Sequence, residues 1–270
     1  NSTNANTNPS LKMYSWFYGE RLNKISCVTG DLGRKVYITY SSIANSDCYT
    51  KGSGSKSPIV DITLPIIVVS YTTENNGAAL RNNDIYYKYG GLKAHLQGKG
   101  LLGFTSVTAE NTTTGEKTTT QINSLNTSYY EPSSIIRTTT MGGKTDKTET
   151  TMSFSYKSGK HHFVYPSQNV NTDFDGNKTT TTNSYSSAYG YLTGQTTTYD
   201  DGSYQSVSYD SYTNIGGAWL QQKVTSTKKL SNVSSFSNVC EYTYNATTGA
   251  ITTRIDNKTT KPLVHNFTYD

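Results

Sequence analysis

From Phe104 to its end the chain alternates short runs of β-branched, aromatic and hydroxyl-bearing residues with polar turns, spaced about ten residues apart. Runs this short, bounded by glycine, asparagine and aspartate, cannot build helices and specify one hairpin after another. "FTSVTAENTTTGEKTTTQINSL" places Phe104, Ser106 and Thr108 before a turn at 111–115 and threonines after it. "TTTMGGKTDKTETTMSFSYKSGKHHFVYPS" alternates Met152, Phe154 and Tyr156, and "TDFDGNKTTTTNSYSS", "TTTYDDGSYQSVSYDS" and "CEYTYNATTGAITTRIDN" repeat the form. No window shows helical periodicity. Composition points the same way, since 23 tyrosines among abundant Thr, Ser and Asn suit half-buried pleated surfaces. With only 16% charged residues and 12% aromatic ones, the chain is not of the disordered class. The expectation is an all-β protein, an extended antiparallel meander forming a twisted strip.

The first half is more varied. Residues 1–10, "NSTNANTNPS", read as a flexible lead-in. In "LNKISCVTGDLGRKVYITYSS", Leu22, Ile25 and Cys27 precede a Gly30-Asp31-Leu32-Gly33 turn, and Val36, Ile38 and Tyr40 alternate after it, which is a hairpin. "GSGSKSP" at 52–58 is a flexible loop leading to the apolar stretch 59–71, a buried strand pair or one bent strand broken by Asp61 and Pro65. A β region at 11–130 and a Tyr/Thr-rich one with YD-like units at 131–270 are distinguishable in texture, and form either one continuous sheet or two domains.

Several functions are excluded or lack their residues. The net charge of +5 is dispersed, with no basic block of the kind that nucleic acid requires. The longest apolar run is too short and too interrupted to insert across a membrane. Cys27, Cys48 and Cys240 have no C-x-x-C spacing; Cys27 and Cys48 are near enough in sequence to meet, although small apolar fillers are the plainer reading. "GSGSKSP" lacks the phosphate-loop spacing and a following helix. "DFDGN" at 173–177 lacks the rest of a calcium loop and reads as an Asp-Gly turn. Of four histidines, His161 and His162 face opposite sides of a strand, and His95 and His265 stand apart. No G-x-S-x-G elbow occurs. The N-x-[ST] triplets at Asn111, Asn126, Asn177, Asn232, Asn245, Asn257 and Asn266 are mostly coincidence in so Asn/Thr-rich a chain.

The exception to this polar texture is "IYYKYGGLKAHLQGKGLLGF" at 85–104. Glycines at 98, 100 and 103 permit positive φ or close approach, as a bulge or corner requires, and Leu102 and Phe104 on one strand face are placed to anchor it. Tyrosines ahead of turns recur at Tyr185, Tyr209, Tyr244 and Tyr269, at intervals too irregular for a strict solenoid.

With these two features the chain resembles the RHS/YD-repeat family, in particular the toxin-complex B component and virulence-plasmid-type proteins. The family's Y-x-Y-x-G segment and G-R-G-x-L-G-F closure are matched by Tyr87, Tyr89, Gly91, Gly98, Gly100, Leu102, Gly103 and Phe104. Lys99 stands where arginine is usual and His95 where an acid is common. The Tyr-Asp unit with its turn glycine is similar to Tyr244-Asn245 with Gly249, Ile251 and Thr252, and to Tyr209-Asp210 with Asn214 at the glycine position.

The resemblance, covering about Leu22 to Asp270, implies a non-enzymatic structural segment of a large secreted or surface-displayed bacterial protein. Its β shell would surround a cargo or toxin polypeptide, and its partners would be the remainder of the same parent polypeptide and that cargo. The family's self-cleavage motif near D-P-x-G and the E-x-E pair of linked ADP-ribosylating domains have no counterpart, so no catalytic, cofactor-binding or metal-ligating residue is expected. The other candidate is an adhesin or carbohydrate-binding sheet, whose tyrosines would stack on sugar rings. No signal peptide opens the chain at Asn1, and Tyr269-Asp270 would begin another unit; a processed fragment cut inside a repeat, with an unpaired last strand, is the expectation.

Overall fold

The computed structural model describes residues 24–30, 34–75, 83–156, 162–187, 190–257 and 261–269. The lead-in at 1–10, residues 31–33 of the first turn, His161 and Asp270 lie outside them. The strands are β1 (Cys27–Thr29), β2 (Lys35–Ser42), β3 (Tyr49–Thr50), β4 (Ile59–Asp61), β5 (Ile67–Asn75), β6 (Asn83–His95), β7 (Gly100–Asn111), β8 (Lys117–Leu125) and β9 (Pro132–Met141). They continue as β10 (Lys144–Tyr156), β11 (His162–Thr172), β12 (Lys178–Tyr185), β13 (Leu192–Tyr199), β14 (Tyr204–Ile215), β15 (Ala218–Lys229), β16 (Phe236–Tyr244), β17 (Ile251–Asp256) and β18 (Leu263–Asn266). All belong to one 18-stranded sheet, and no helix occurs among the described residues. From β5 onward each strand pairs antiparallel with the next, β2 joins β1 to β5, and the sheet is not closed into a barrel. The expected antiparallel meander is the fold.

Turn chemistry sets this order. Asn111, Asn126 and Asn245 each open a turn in which the side-chain Oδ1 accepts the backbone N–H groups two and three residues on, at 2.8–3.1 Å. The fifth residue closes the turn in the left-handed region: Gly115 (φ +74°), Tyr130 (+56°) and Gly249 (+70°). Three of the N-x-[ST] triplets are therefore turn caps. Replacing Asn245 with alanine should cost about 1–2 kcal/mol for its two hydrogen bonds, and Asn245→Asp should retain most of it, read from thermal unfolding. "DFDGN" forms a tighter turn in which Asp173 Oδ1 accepts the N–H groups of Asp175 and Asn177, both at 2.9 Å. Gly142-Gly143 and Gly216-Gly217, all at positive φ, make the two-residue turns whose twist matches the flanking strands.

The sheet is a single layer over most of its length. Among described residues only Ile43, Cys48, Tyr49, Gly91, Leu92, His95 and Ser203 are buried. Elsewhere side chains pack sideways along the sheet, in place of a facing layer. Tyr165 and Tyr185 lie 4.5 Å apart between ring centroids, Tyr191 and Tyr212 4.0 Å, and Tyr129 stacks on Phe154 at 5.6 Å. Threonine hydroxyls bridge neighbouring strands, as Thr108 to Thr119 (3.0 Å) and Thr181 to Thr197 (3.1 Å). Tyrosine hydroxyls reach back to the preceding strand where the ladder ends: Tyr89 donates to Val69 O (2.8 Å), Tyr212 to Leu192 O (2.7 Å) and Tyr244 to Gln221 O.

Three expectations are corrected. The apolar stretch 59–71 is two strands, the first of the two forms expected, with β4 on β6 and β5 on both β2 and β6, but it is not wholly buried, since Leu64 and Ile67 are exposed. With no second layer above them, only Ile62, Ile66 and Val68 of this stretch reach the core. Tyr209-Asp210 does not precede a turn. Both lie inside β14, which continues through Asn214 to the Gly216-Gly217 turn. The tyrosine-plus-turn unit holds at Tyr185 and Tyr244, whose strands end there. Finally, Cys27 is exposed on β1, where the filler reading had it packed; Cys48 alone is a buried filler, and all three thiols are free.

Ser211 interrupts β14 at φ +56°, a left-handed conformation that costs a residue with a Cβ about 1–2 kcal/mol. Ser211→Gly should raise stability by roughly 0.5–1 kcal/mol once glycine's extra unfolded-state entropy is subtracted, measured as a shift in the urea midpoint.

Candidate functional site: a glycine-built corner

The core and the glycine motif coincide. β6 has β7 along one edge; its other edge takes three partners in turn, β5 at 83–86, β3 at Tyr89 and Gly90, and β4 at 93–95. The chain between β2 and β5 thereby folds across the strip and covers it with Ile43, Cys48 and Tyr49, which pack with Leu92; Tyr89 and Phe104 border them. Tyr49, 5% exposed, is fully used: its hydroxyl donates to Ile62 O (2.7 Å) and accepts the Leu92 N–H (3.0 Å). Its ring meets Phe104 edge-on at 6.1 Å.

The glycines serve two different needs. Gly91 (φ +60°) lies in mid-strand, where a Cβ would collide with Thr105 Oγ1. Gly98, Gly100 and Gly103 (φ +103°, +72° and +94°) have open space around them, so conformation alone requires glycine there. Lys93 pairs with Gly103 and Ala94 with Leu101, leaving Leu102 as the extra residue of a β-bulge. The bulge sends Phe104 to the core and leaves Leu102 out of the core cluster, which corrects the expectation that both anchor the corner. Tyr87 lies in β6 outside that cluster as well.

Two polar contacts fix the corner to its surroundings. Lys93 Nζ donates to Asp61 Oδ1 (2.7 Å) and Ser55 Oγ (2.6 Å), while the Ser55 N–H donates to Asp61 Oδ2 (3.2 Å). The hydrogen bond from Lys93 holds the Asp61 carboxyl below its ordinary value; Ser55 adds to this, and burial opposes it. The Gly-Ser loop read as flexible is thus tied to β6, and Gly52 packs so closely on Gly91 that a Cβ would come within 3.1 Å of its Cα. At the turn after β6, the His95 ring lies 4.3 Å from that of Tyr130, and Lys99 pairs with Glu131 at 3.1 Å.

The open groove beside the corner, about 260 Å³, is lined by Ser55, Lys93, Ile59, Thr105, Ile122 and Leu125, and in it the Ser55 hydroxyl meets a Lys93 amine that is shared with the Asp61 carboxylate. The one cluster combining thiol, imidazole and carboxylate among the described residues is on β16–β18. There Cys240 Sγ donates to Asp256 Oδ1 (3.0 Å), Arg254 Nε donates to the same oxygen (3.0 Å), and His265 Nε2 lies 3.5 Å from Oδ2. The carboxylate stands between thiol and imidazole, so the imidazole cannot take the thiol proton as a cysteine nucleophile requires. The hydrogen bond from Cys240, with Arg254, holds Asp256 below the usual carboxylate range. Sequence reasoning missed this cluster, the Lys93–Asp61 pair and the Asn caps; only the caps at Asn111 and Asn245 carry a local signal, asparagine four residues ahead of glycine. Compared with known proteins, the chain matches no family model and no curated sequence.

Proposed function

We propose that the chain is a non-enzymatic wall segment, a β strip of a large secreted or cell-surface protein of the RHS type, in bacteria, whose role is to enclose another polypeptide. The observation that carries this is the single-layer sheet itself. A chain of this length can bury a sizeable core, yet these strands share one small core at the glycine corner and leave aromatic and aliphatic side chains half-covered on the rest. Such a surface suits a wall completed by other parts of a parent polypeptide and by its cargo. The glycine corner stiffens the start of the strip by pairing β3 and β4 with β6 and burying Ile43, Cys48, Tyr49 and Leu92 together.

The flanking coding sequence tests the proposal: further tyrosine-led hairpins followed by a variable domain support it, and an unrelated soluble domain on either side overturns it. The adhesin reading rests on the row of tyrosines with Asn and Thr between them. A glycan array separates the two, because saturable binding that is lost when Tyr191 and Tyr212 are replaced would favour the adhesin.

A further inference from the structure

The loop between β15 and β16 differs from every other described connection. In "KKLSNVSSF" at 228–236 every residue is exposed; Leu230 (49% exposed) and Val233 (57%) project from the loop, and Phe236 (61%) opens β16 across from Lys228. Many of the strip's other aromatics, such as Tyr165 with Tyr185 and Tyr191 with Tyr212, meet a neighbouring ring. Here the Val233 N–H to Leu230 O bond (3.3 Å) braces the turn, and none of the three side chains belongs to the core cluster or a ring pair. Lys228 and Lys229 enter the loop. Adjacent on a strand, they point to opposite faces and so flank its apolar tip on both sides. Their partners across β14 are Gln205 and Tyr204, and neither lysine has an ion-pair partner among the described residues. An open groove of about 320 Å³ beside them is lined by Tyr199, Ser203, Tyr204, Gln205 and both lysines. Asp201 also borders it, with its carboxylate taken up by the Ser203 N–H (2.9 Å).

We infer that this loop is a peripheral contact with an anionic lipid surface. Leu230, Val233 and Phe236 enter the boundary between headgroups and acyl chains, and Lys228 and Lys229 meet the lipid phosphates, with the groove receiving a headgroup. A convex tip carrying apolar side chains inside a basic collar matches a membrane interface, where each lysine near the surface adds attraction to anionic lipid. A protein partner would have to supply a matching cavity for the same protrusion. The contact is one loop deep, distinct from the spanning run that the sequence lacks.

The test is sedimentation of the 270-residue chain with vesicles of phosphatidylcholine, with and without phosphatidylserine. The expected result is binding to the anionic vesicles that weakens with salt. It should fall about tenfold or more in Leu230→Ser/Val233→Ser/Phe236→Ser and again in Lys228→Gln/Lys229→Gln. All these side chains are exposed, so circular dichroism should be unchanged, and a Val233→Trp reporter should shift its emission to the blue on anionic vesicles alone. Absence of binding overturns the inference, as does binding that the serine variant retains or that neutral vesicles match. Retention of a protein by the loop while vesicles are ignored overturns it too.

Discussion

Gly91→Ala should cost about 2–4 kcal/mol, among the largest effects of any single methyl added to this chain. Two penalties coincide at this position. The residue is buried at φ +60°, which a Cβ disfavours, and the new methyl would run into Thr105, whose hydroxyl donates to Gly90 O (3.2 Å). Thr105 is short and β-branched, so it has little freedom to move aside. Gly100→Val and Gly103→Val meet open space and should lose only the conformational part, about 1–2 kcal/mol each. Thr105→Ala introduced with Gly91→Ala should recover the steric share and leave the φ share. Urea unfolding of the four variants measures all of this. Equal losses at 91 and 103 would mean that close packing on Thr105 contributes nothing and that the corner depends on backbone conformation alone.

That contrast marks what was legible in the sequence. The alternation of Met152 and Phe154, and the turn residues at Gly142-Gly143 or Asp173 to Asn177, are local properties, and they specified a meander without reference to the rest of the chain. The glycines of the 85–104 stretch announced a bend for the same reason. Which glycine is needed for space and which for conformation was not legible, because that depends on Thr105 lying across β6 from Gly91. Leu102 misled for a related reason: period-two alternation fails at a bulge, and the register of the facing strand decides where the bulge falls. Tyr209-Asp210 shows the opposite error, a local pattern overridden by a strand that runs on through a strained Ser211. The Lys93–Asp61 pair was invisible because its members meet only when β4 pairs with β6, across the whole of β5, and nothing local to either residue announces that pairing.

Lys93→Met should cost about 1–3 kcal/mol, because it takes the cation from a carboxylate that then keeps only its bonds to Ser55. The Asp61 side chain is 8% exposed and that of Lys93 18%, so water reaches neither well. Removing both charges with Lys93→Met/Asp61→Asn should be much milder, since Ser55 can still hydrogen-bond a neutral amide and no uncompensated charge remains. The pair also sets an acid limit for the corner. Asp61 is held below its ordinary value by the hydrogen bond from Lys93, so the folded state binds its proton less readily than the unfolded chain does. Its contribution is therefore complete above the unfolded value of about pH 4 and disappears as pH falls through the lower folded value. Urea midpoints followed from neutral pH to below pH 3 should show this step in the native chain and lose it in Asp61→Asn. The same series decides what the loop at 51–58 does: if native chain and variant decline in parallel, the loop is held by its backbone and by Gly52 against Gly91, and the ion pair is incidental to the corner.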